Sequence, residues 1–286
     1  MHGGLACAAD DTPTWACLHR RQGMVAPPAR TCEHRGVPED GGQLAALAVV
    51  VLLAAALYSS VGHGGASAYL AAMALFAVPP AVMKPAALAM NVLVASVGVV
   101  RFGAGRLVPW SLLLPLALGS VPAAMLGGAI ELPSQLYRPL LGALLLFAAA
   151  RLVAPAPASV RRPPPGAAAL IVLGVALGLL AGATGIGGGI FLSPLLILRG
   201  WEEPRRTAGA ASVFILVNSL AGLAGHLQAG RTIPPATAPL ALVALAGGLY
   251  GSWLGARRLP PLALRRVLAV VLVTAGGKLL VEAAWR

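Results

Sequence analysis

Residues 182–196 read GATGIGGGIFLSPLL, a glycine cluster set inside sequence that is otherwise apolar enough to sit in a bilayer. Five glycines fall within eight residues here: Gly182, Gly185, Gly187, Gly188 and Gly189. Each costs a helix interior roughly 0.5–1 kcal/mol relative to alanine, so the helix is expected to break. Interrupted backbone at membrane depth survives only where its freed polar groups are covered by protein or line a cavity. A break of this kind is one way to build a binding site near the bilayer midplane.

Working outward, the composition of the 286 residues fits that setting, with 58% hydrophobic and 10% charged side chains, where a soluble domain carries about 25% charged residues. Mean hydropathy is +0.83. The formal charge of +12 would suggest nucleic acid in a soluble chain. Here the arginines sit in short loops between apolar runs, the pattern that sets topology and meets phospholipid headgroups. Aromatic residues are 5% of the chain, too few for a base-stacking platform. The bilayer is therefore the expected partner and nucleic acid is not.

Residues 1–41 stand apart as a polar tail holding Cys7, Cys17 and Cys32. They lack the continuous apolar core of a signal peptide. The pairs Cys17/His19 and Cys32/His34 are closer than the usual spacing of zinc ligands, so no metal or cofactor is expected. The tail reads as disordered, or as sequence upstream of a true start at Met24.

The rest divides into a first membrane repeat at 42–153, a proline-rich linker at 154–166 (APAPASVRRPPPG) and a second membrane repeat at 167–286. Apolar runs fall at 42–61, 66–83, 85–102, 110–130 and 136–153, then again at 167–183, 187–198, 207–228, 235–256 and 261–284. The halves match in detail. Gly62-His63-Gly64-Gly65-Ala66 aligns with Gly185-Ile186-Gly187-Gly188-Gly189, and Ala104-Gly105-Arg106 with Ala229-Gly230-Arg231. Leu132-Pro133 aligns with Leu259-Pro260. A nearly constant offset marks an internal duplication. The expected fold is all-α and polytopic: two inverted repeats of about five helices each, broken or re-entrant at the glycine clusters. If every run crosses, Arg101, Arg106, Arg151, Arg161, Arg162, Arg199, Arg205, Arg206, Arg257, Arg258, Arg265 and Arg266 share one side. The positive-inside rule makes that side cytoplasmic. About ten crossings are expected, with eight plus two re-entrant segments as the alternative.

These residues also carry a family resemblance. GATGIGGGIFLSPLL, its first-half partner SSVGHGGASAYLAAMALF and the two-half arrangement resemble the sulfite exporter TauE/SafE family, also called toluene-sulfonate uptake permeases. The resemblance runs from about Leu44 to the C-terminus; the first motif departs from the usual form at Ala66 and at Ala71-Ala72, where the second half has Pro194. It implies a bacterial inner-membrane permease for small anions such as sulfite, organosulfonates or related organic acids.

The residues point to an anion independently. Between residues 42 and 285 the acidic side chains are Glu131, Glu202, Glu203 and Glu282, all at or near the ends of apolar runs. No carboxylate sits where a bound cation at the midplane would need one. What remains is the N–H-rich start of the helix after the glycines, a ready anion site. Candidate substrate residues are Gly62, His63, Gly64, Gly65 and Ser67 in the first half, with Thr184, Gly185, Gly187, Gly188, Gly189 and Ser193 in the second. Asn91 and Asn218, amides deep in apolar runs, are either substrate donors or interhelical glue. His63 would also allow proton coupling, against a rival role in helix capping. Arg101, Arg106 and Lys84 read as boundary residues, and His226 and Gln228 as weak candidates. A passive anion channel shares the same site, and a membrane enzyme acting on a lipid phosphate would want a general base or acidic metal pair that is not visible. A homo-oligomer is left open by small-residue faces such as Gly247-Gly248 with Gly251.

Overall fold

The computed structural model describes residues 41–60, 62–103, 107–153, 162–255 and 262–285. The expectations for the tail cysteines, Met24, Arg106 and most of the linker lie outside them. Among the described residues the protein is all-helical, with ten helices: α1 (Gly41–Ser60), α2 (Ala66–Leu75), α3 (Pro80–Gly103), α4 (Trp110–Ala129), α5 (Ser134–Val153), α6 (Ala167–Thr184), α7 (Gly189–Leu198), α8 (Pro204–Gln228), α9 (Thr237–Gly255) and α10 (Leu262–Ala284). The apolar runs predict eight of these to within about three residues at each end. The exceptions are the second run, which stops at Leu75 rather than continuing to Met83, and the third, whose helix starts at Pro80 rather than at Pro85.

Six helices, α1, α3, α4, α6, α8 and α9, are long and apolar enough to cross a membrane. Helices α5 and α10 have 20 and 23 residues, enough length, but they carry charges at Arg138, Arg151, Arg265, Arg266, Lys278 and Glu282. Helices α2 and α7 have ten residues each. At 1.5 Å per residue that is about 15 Å, half the hydrocarbon thickness.

Glycine sets how the long helices pack. A Cβ on Gly174, Gly178 or Gly182 of α6 would strike the carbonyl of Leu116, Ser120 or Ala124 of α4. The contacts advance by four residues in step, so α4 and α6 run parallel with their backbones touching, the geometry that small-xxx-small spacing allows. Gly247 and Gly251 of α9 meet the carbonyls of Leu52 and Ala56 of α1 in the same way. The face left open to oligomerisation by its small residues is thus occupied within the chain.

Two other pairs run antiparallel. In α3 and α8, Gly98 lies against Ser212 and Leu88 against Gly222. In α5 and α10, Gly142 and Gly276 each lie 2.9 Å, measured from an added Cβ, from the other's carbonyl, and Arg138 pairs with Glu282 at 3.1 Å. Each of these pairs joins a helix to its counterpart in the other half. The short helices leave the interior in opposite directions. The last carbonyls of α2, Ala74 and Leu75, accept from Lys278 near the end of α10, whereas the turn after α7 meets the start of the second half, Arg162 N–H donating to Gly200 O at 2.7 Å.

The two short helices differ in burial. Nine of the ten residues of α2 are buried, and it sits in a cluster with Leu47, Val51, Met83, Met90, Leu141 and Leu145. In α7 only Gly189, Leu192, Ser193 and Leu196 are buried. Both are apolar all round, and α2 is the one enclosed on every face.

Candidate functional site

Both breaks form because glycine takes the left-handed backbone region at matching positions. Gly62 and Gly185 have φ of 78° and 83°, and Gly65 and Gly188 have φ of 92° and 82°. The first member of each pair stops the incoming chain; the second is the N-cap of α2 or α7. The two motifs thus match at the turn and at the cap but differ between them, where Gly187 is also left-handed, at φ 76°, and Gly64 is not; Ala66 opens α2 without altering its cap.

The breaks meet at Asn91 in the middle of α3. A Cβ on Gly64 would lie 2.5 Å from Asn91 Oδ1; one on Gly187 would lie 2.6 Å from Asn91 Nδ2 and 2.9 Å from Ser219 Oγ. Ile215 Cγ2 touches both glycine positions, at 3.0 and 3.2 Å. Larger residues at 64 or 187 would therefore drive the breaks apart.

The hydrogen bonding of this backbone is one-sided. Freed carbonyls are claimed by side-chain donors: Tyr69 OH donates to Gly64 O at 2.7 Å, Ser212 Oγ to Gly62 O at 2.9 Å, Asn91 Nδ2 to Ile186 O at 3.3 Å and Tyr137 OH to Thr184 O at 3.0 Å. By contrast, the N–H groups of Gly64, Gly65 and Ala66, and of Gly187, Gly188 and Gly189, have no protein acceptor among the described residues. An unpaired buried backbone donor is costly, so these groups favour an acceptor-rich occupant.

A small cavity of about 10 Å³ lies at the first of these N-termini, lined by Tyr58, His63, Gly64, Gly65, Ala66, Ser67, Ile186, Ile190 and Ile215. Ser67 Oγ donates to Tyr58 OH at 2.9 Å, and the Tyr58 and His63 rings meet edge to face with centroids 6.2 Å apart. At the second N-terminus a Cβ on Gly188 would meet Phe214 and Ala181, and one on Gly189 would meet Ile215. No group of three or more potential metal ligands occurs among the described residues.

The candidates of the sequence analysis separate accordingly. His63, Gly64, Gly65 and Ser67 line the cavity, Gly62 forms its turn, and Asn91 and Gly187 lie behind it. Gly185 sits farther off, against the Lys84 backbone. Thr184 Oγ1 bonds back to Leu180 O at 2.6 Å and Asn218 Nδ2 to Phe214 O at 2.8 Å, both within their own helices. Ser193 is buried without a partner and away from the cavity wall. Lys84 is no mere boundary residue: it is buried in α3, and its ammonium caps the end of α4 through Gly127, Gly128 and Ile130 carbonyls at 2.8–3.0 Å. His226 Nε2 lies 3.3 Å from Thr232 O.

Sequence reading missed Tyr58 and the isoleucine wall. Tyr58 had a signal: one of only four tyrosines in the chain, it stands one helical turn before Gly62 in a run of small and aliphatic residues. The isoleucines had none, because an apolar cavity wall and an apolar core read alike.

Fold and site together define a polytopic helical membrane protein in which two half-length helices start from glycine breaks that meet in the interior. The chain belongs to the sulfite exporter TauE/SafE family, whose model, described as "Sulfite exporter TauE/SafE", matches residues 47–279. It is 36% identical over 240 residues to the "Probable membrane transporter protein y4hK" of Sinorhizobium fredii (strain NBRC 101917 / NGR234), an alignment covering 82% of this chain and 97% of that protein. No solved structure gives a significant match. The chain is accordingly a multi-pass membrane transporter and not an enzyme.

Proposed function

We propose that the transported species is a small anion, such as sulfite, an organosulfonate or a related organic acid, moved by a carrier mechanism across a bacterial inner membrane. The observation that carries this reading is the polarity left at the breaks. Side chains take up the carbonyls, and the N–H groups at the start of α2 stay unpaired beside a cavity. The positive end of a helix dipole adds to their attraction for an anion.

The reading favours the N-terminus of α2, because His63, Gly64, Gly65, Ala66 and Ser67 there line the cavity. It also calls for motion. The cavity as it stands admits about one water-sized body, so a sulfite-sized ion enters only if a wall moves. Ile186, Ile190 and Ile215 face Tyr58 and His63 across it, and separating the two breaks would open it. The antiparallel pairing of α3 with α8 and of α5 with α10 supports inverted repeats, the arrangement in which such rocking exposes a site to each side in turn.

Counterflow tests the reading. Liposomes bearing the purified chain and preloaded with unlabelled sulfite are expected to accumulate labelled sulfite transiently. Downhill flux without a transient would assign a passive channel, and no flux with sulfite, ethanesulfonate or acetate would remove the anion reading.

A further inference from the structure

We infer that the Tyr58–Ser67 hydroxyl pair contacts the substrate and determines its class: an oxyanion that bears no ammonium group. The inference rests on the transport reading above and extends it to two side chains and a selectivity. Both residues are buried, at 6% and 3% exposure, and both line the cavity at the start of α2. They share one hydrogen bond, 2.9 Å between oxygens. Two hydroxyls carry two hydrogens, and one bond consumes one. Whichever way the shared bond points, one O–H hydrogen remains, with no protein acceptor among the described residues.

That spare donor lies with the N–H groups of Gly64, Gly65 and Ala66, which also lack acceptors. The nearest freed carbonyl, Gly64 O, already accepts from Tyr69. No Asp or Glu side chain lines the cavity. The wall therefore offers donors to oxygen and no carboxylate to neutralise an ammonium group, and burying an unpaired charge is heavily penalised. Across from the donors, Ile186, Ile190 and Ile215 form an apolar wall suited to the side of the anion that carries no oxygen. Each donor faces a charged acceptor, and a hydrogen bond to a charged group is worth more than a neutral one.

The test is counterflow of labelled sulfite by the full chain in liposomes, comparing wild type with Tyr58→Phe, Ser67→Ala and Ser67→Thr. Tyr58→Phe and Ser67→Ala are each expected to raise KM about tenfold or more, with a smaller change in maximal rate, and Ser67→Thr, which keeps the hydroxyl, is expected to stay near wild type. The double variant Tyr58→Phe/Ser67→Ala is expected to fall well short of the product of the single effects, because the two hydroxyls act as one unit. Ethanesulfonate is expected to compete, and its 2-amino derivative is not. Unchanged KM in both hydroxyl deletions, or equal competition by the amino derivative, would overturn the assignment while wild-type flux upholds the transport reading. Absence of wild-type flux would overturn that reading itself. If Tyr58→Phe lowers the melting temperature, the comparison of Ser67→Ala with Ser67→Thr decides, since it turns on the hydroxyl alone.

Discussion

At the scale of single residues, the break positions are held by space and by donors, and the two requirements can be separated. Gly64 is not in the left-handed region, so Gly64→Ala introduces no backbone strain, yet its Cβ would meet Asn91 Oδ1 at 2.5 Å and Ile215 at 3.0 Å. Overpacking of this kind costs about 1–3 kcal/mol. The variant is expected to melt several degrees lower and to lose most counterflow, and wild-type flux would show that the breaks need not touch Asn91. Asn91→Ala leaves the buried Ile186 carbonyl without its donor, a cost of about 1–3 kcal/mol, to be read in thermal unfolding of the detergent-solubilised protein. Asn91 shows how far the sequence could be read. An amide deep in an apolar run announces itself as glue or ligand, and the structure makes it the point where both halves touch. Thr184 and Asn218 look equally polar in sequence but turn back on their own helices. Local back-bonding leaves no trace in residue type.

At the scale of elements, a ten-residue helix is marginal alone, and the four carbonyls at its C-terminus need partners. For α2 the N–H groups of Phe76, Val78 and Ala77 take Ala72, Met73 and Ala74, and Lys278 completes the set, its ammonium 3.0 Å from Ala74 O and 3.1 Å from Leu75 O. Glu282 lies 3.9 Å from Lys278 and 3.1 Å from Arg138, linking α2 to α10 and α5. A cation at the negative end of α2 steadies the helix whose positive end faces the cavity. Lys278→Met is expected to weaken sulfite counterflow at least fivefold, with Lys278→Arg retaining most of it, and equal activity of the two variants would reduce Lys278 to a surface charge. The elements themselves were legible because apolar runs and glycine breaks are local signals. Proline placement misled: Pro85, taken as the start of the third run, lies inside α3, which begins at Pro80, and Pro115 and Pro122 lie inside α4. The reach of Lys84 and Lys278 was not legible, since a lysine at a run's edge looks topological whether it meets water, headgroups or a distant carbonyl.

At the scale of the whole molecule, hydrogen bonds between elements show which ends share a side. Arg162 N–H bonds to Gly200 O, so the start of α6 and the end of α7 lie together, and α7 with its glycine break carries the chain back across what α6 crossed. The cations at the opposite end are already engaged: Arg231 lies 3.2 Å from Glu131 and 3.0 Å from Ala129 O, Arg138 pairs with Glu282, and Lys84 caps α4. Of the described arginines on the Arg162 side, Arg206 has an ion pair, with Glu202 at 3.3 Å. By the positive-inside rule the Arg162 side is expected to lie in the cytoplasm. Single cysteines at Arg162, Glu203 and Glu131, in a chain with Cys7, Cys17 and Cys32 changed to serine, test this together. An impermeant maleimide added to intact cells is expected to label position 131 and to spare 162 and 203 until the membrane is permeabilised. Position 203 decides between the two topologies, because a re-entrant α7 would leave it opposite position 162. Labelling at 203 alongside 131 would mean that the second half lacks the odd crossing number on which inversion of the repeats depends.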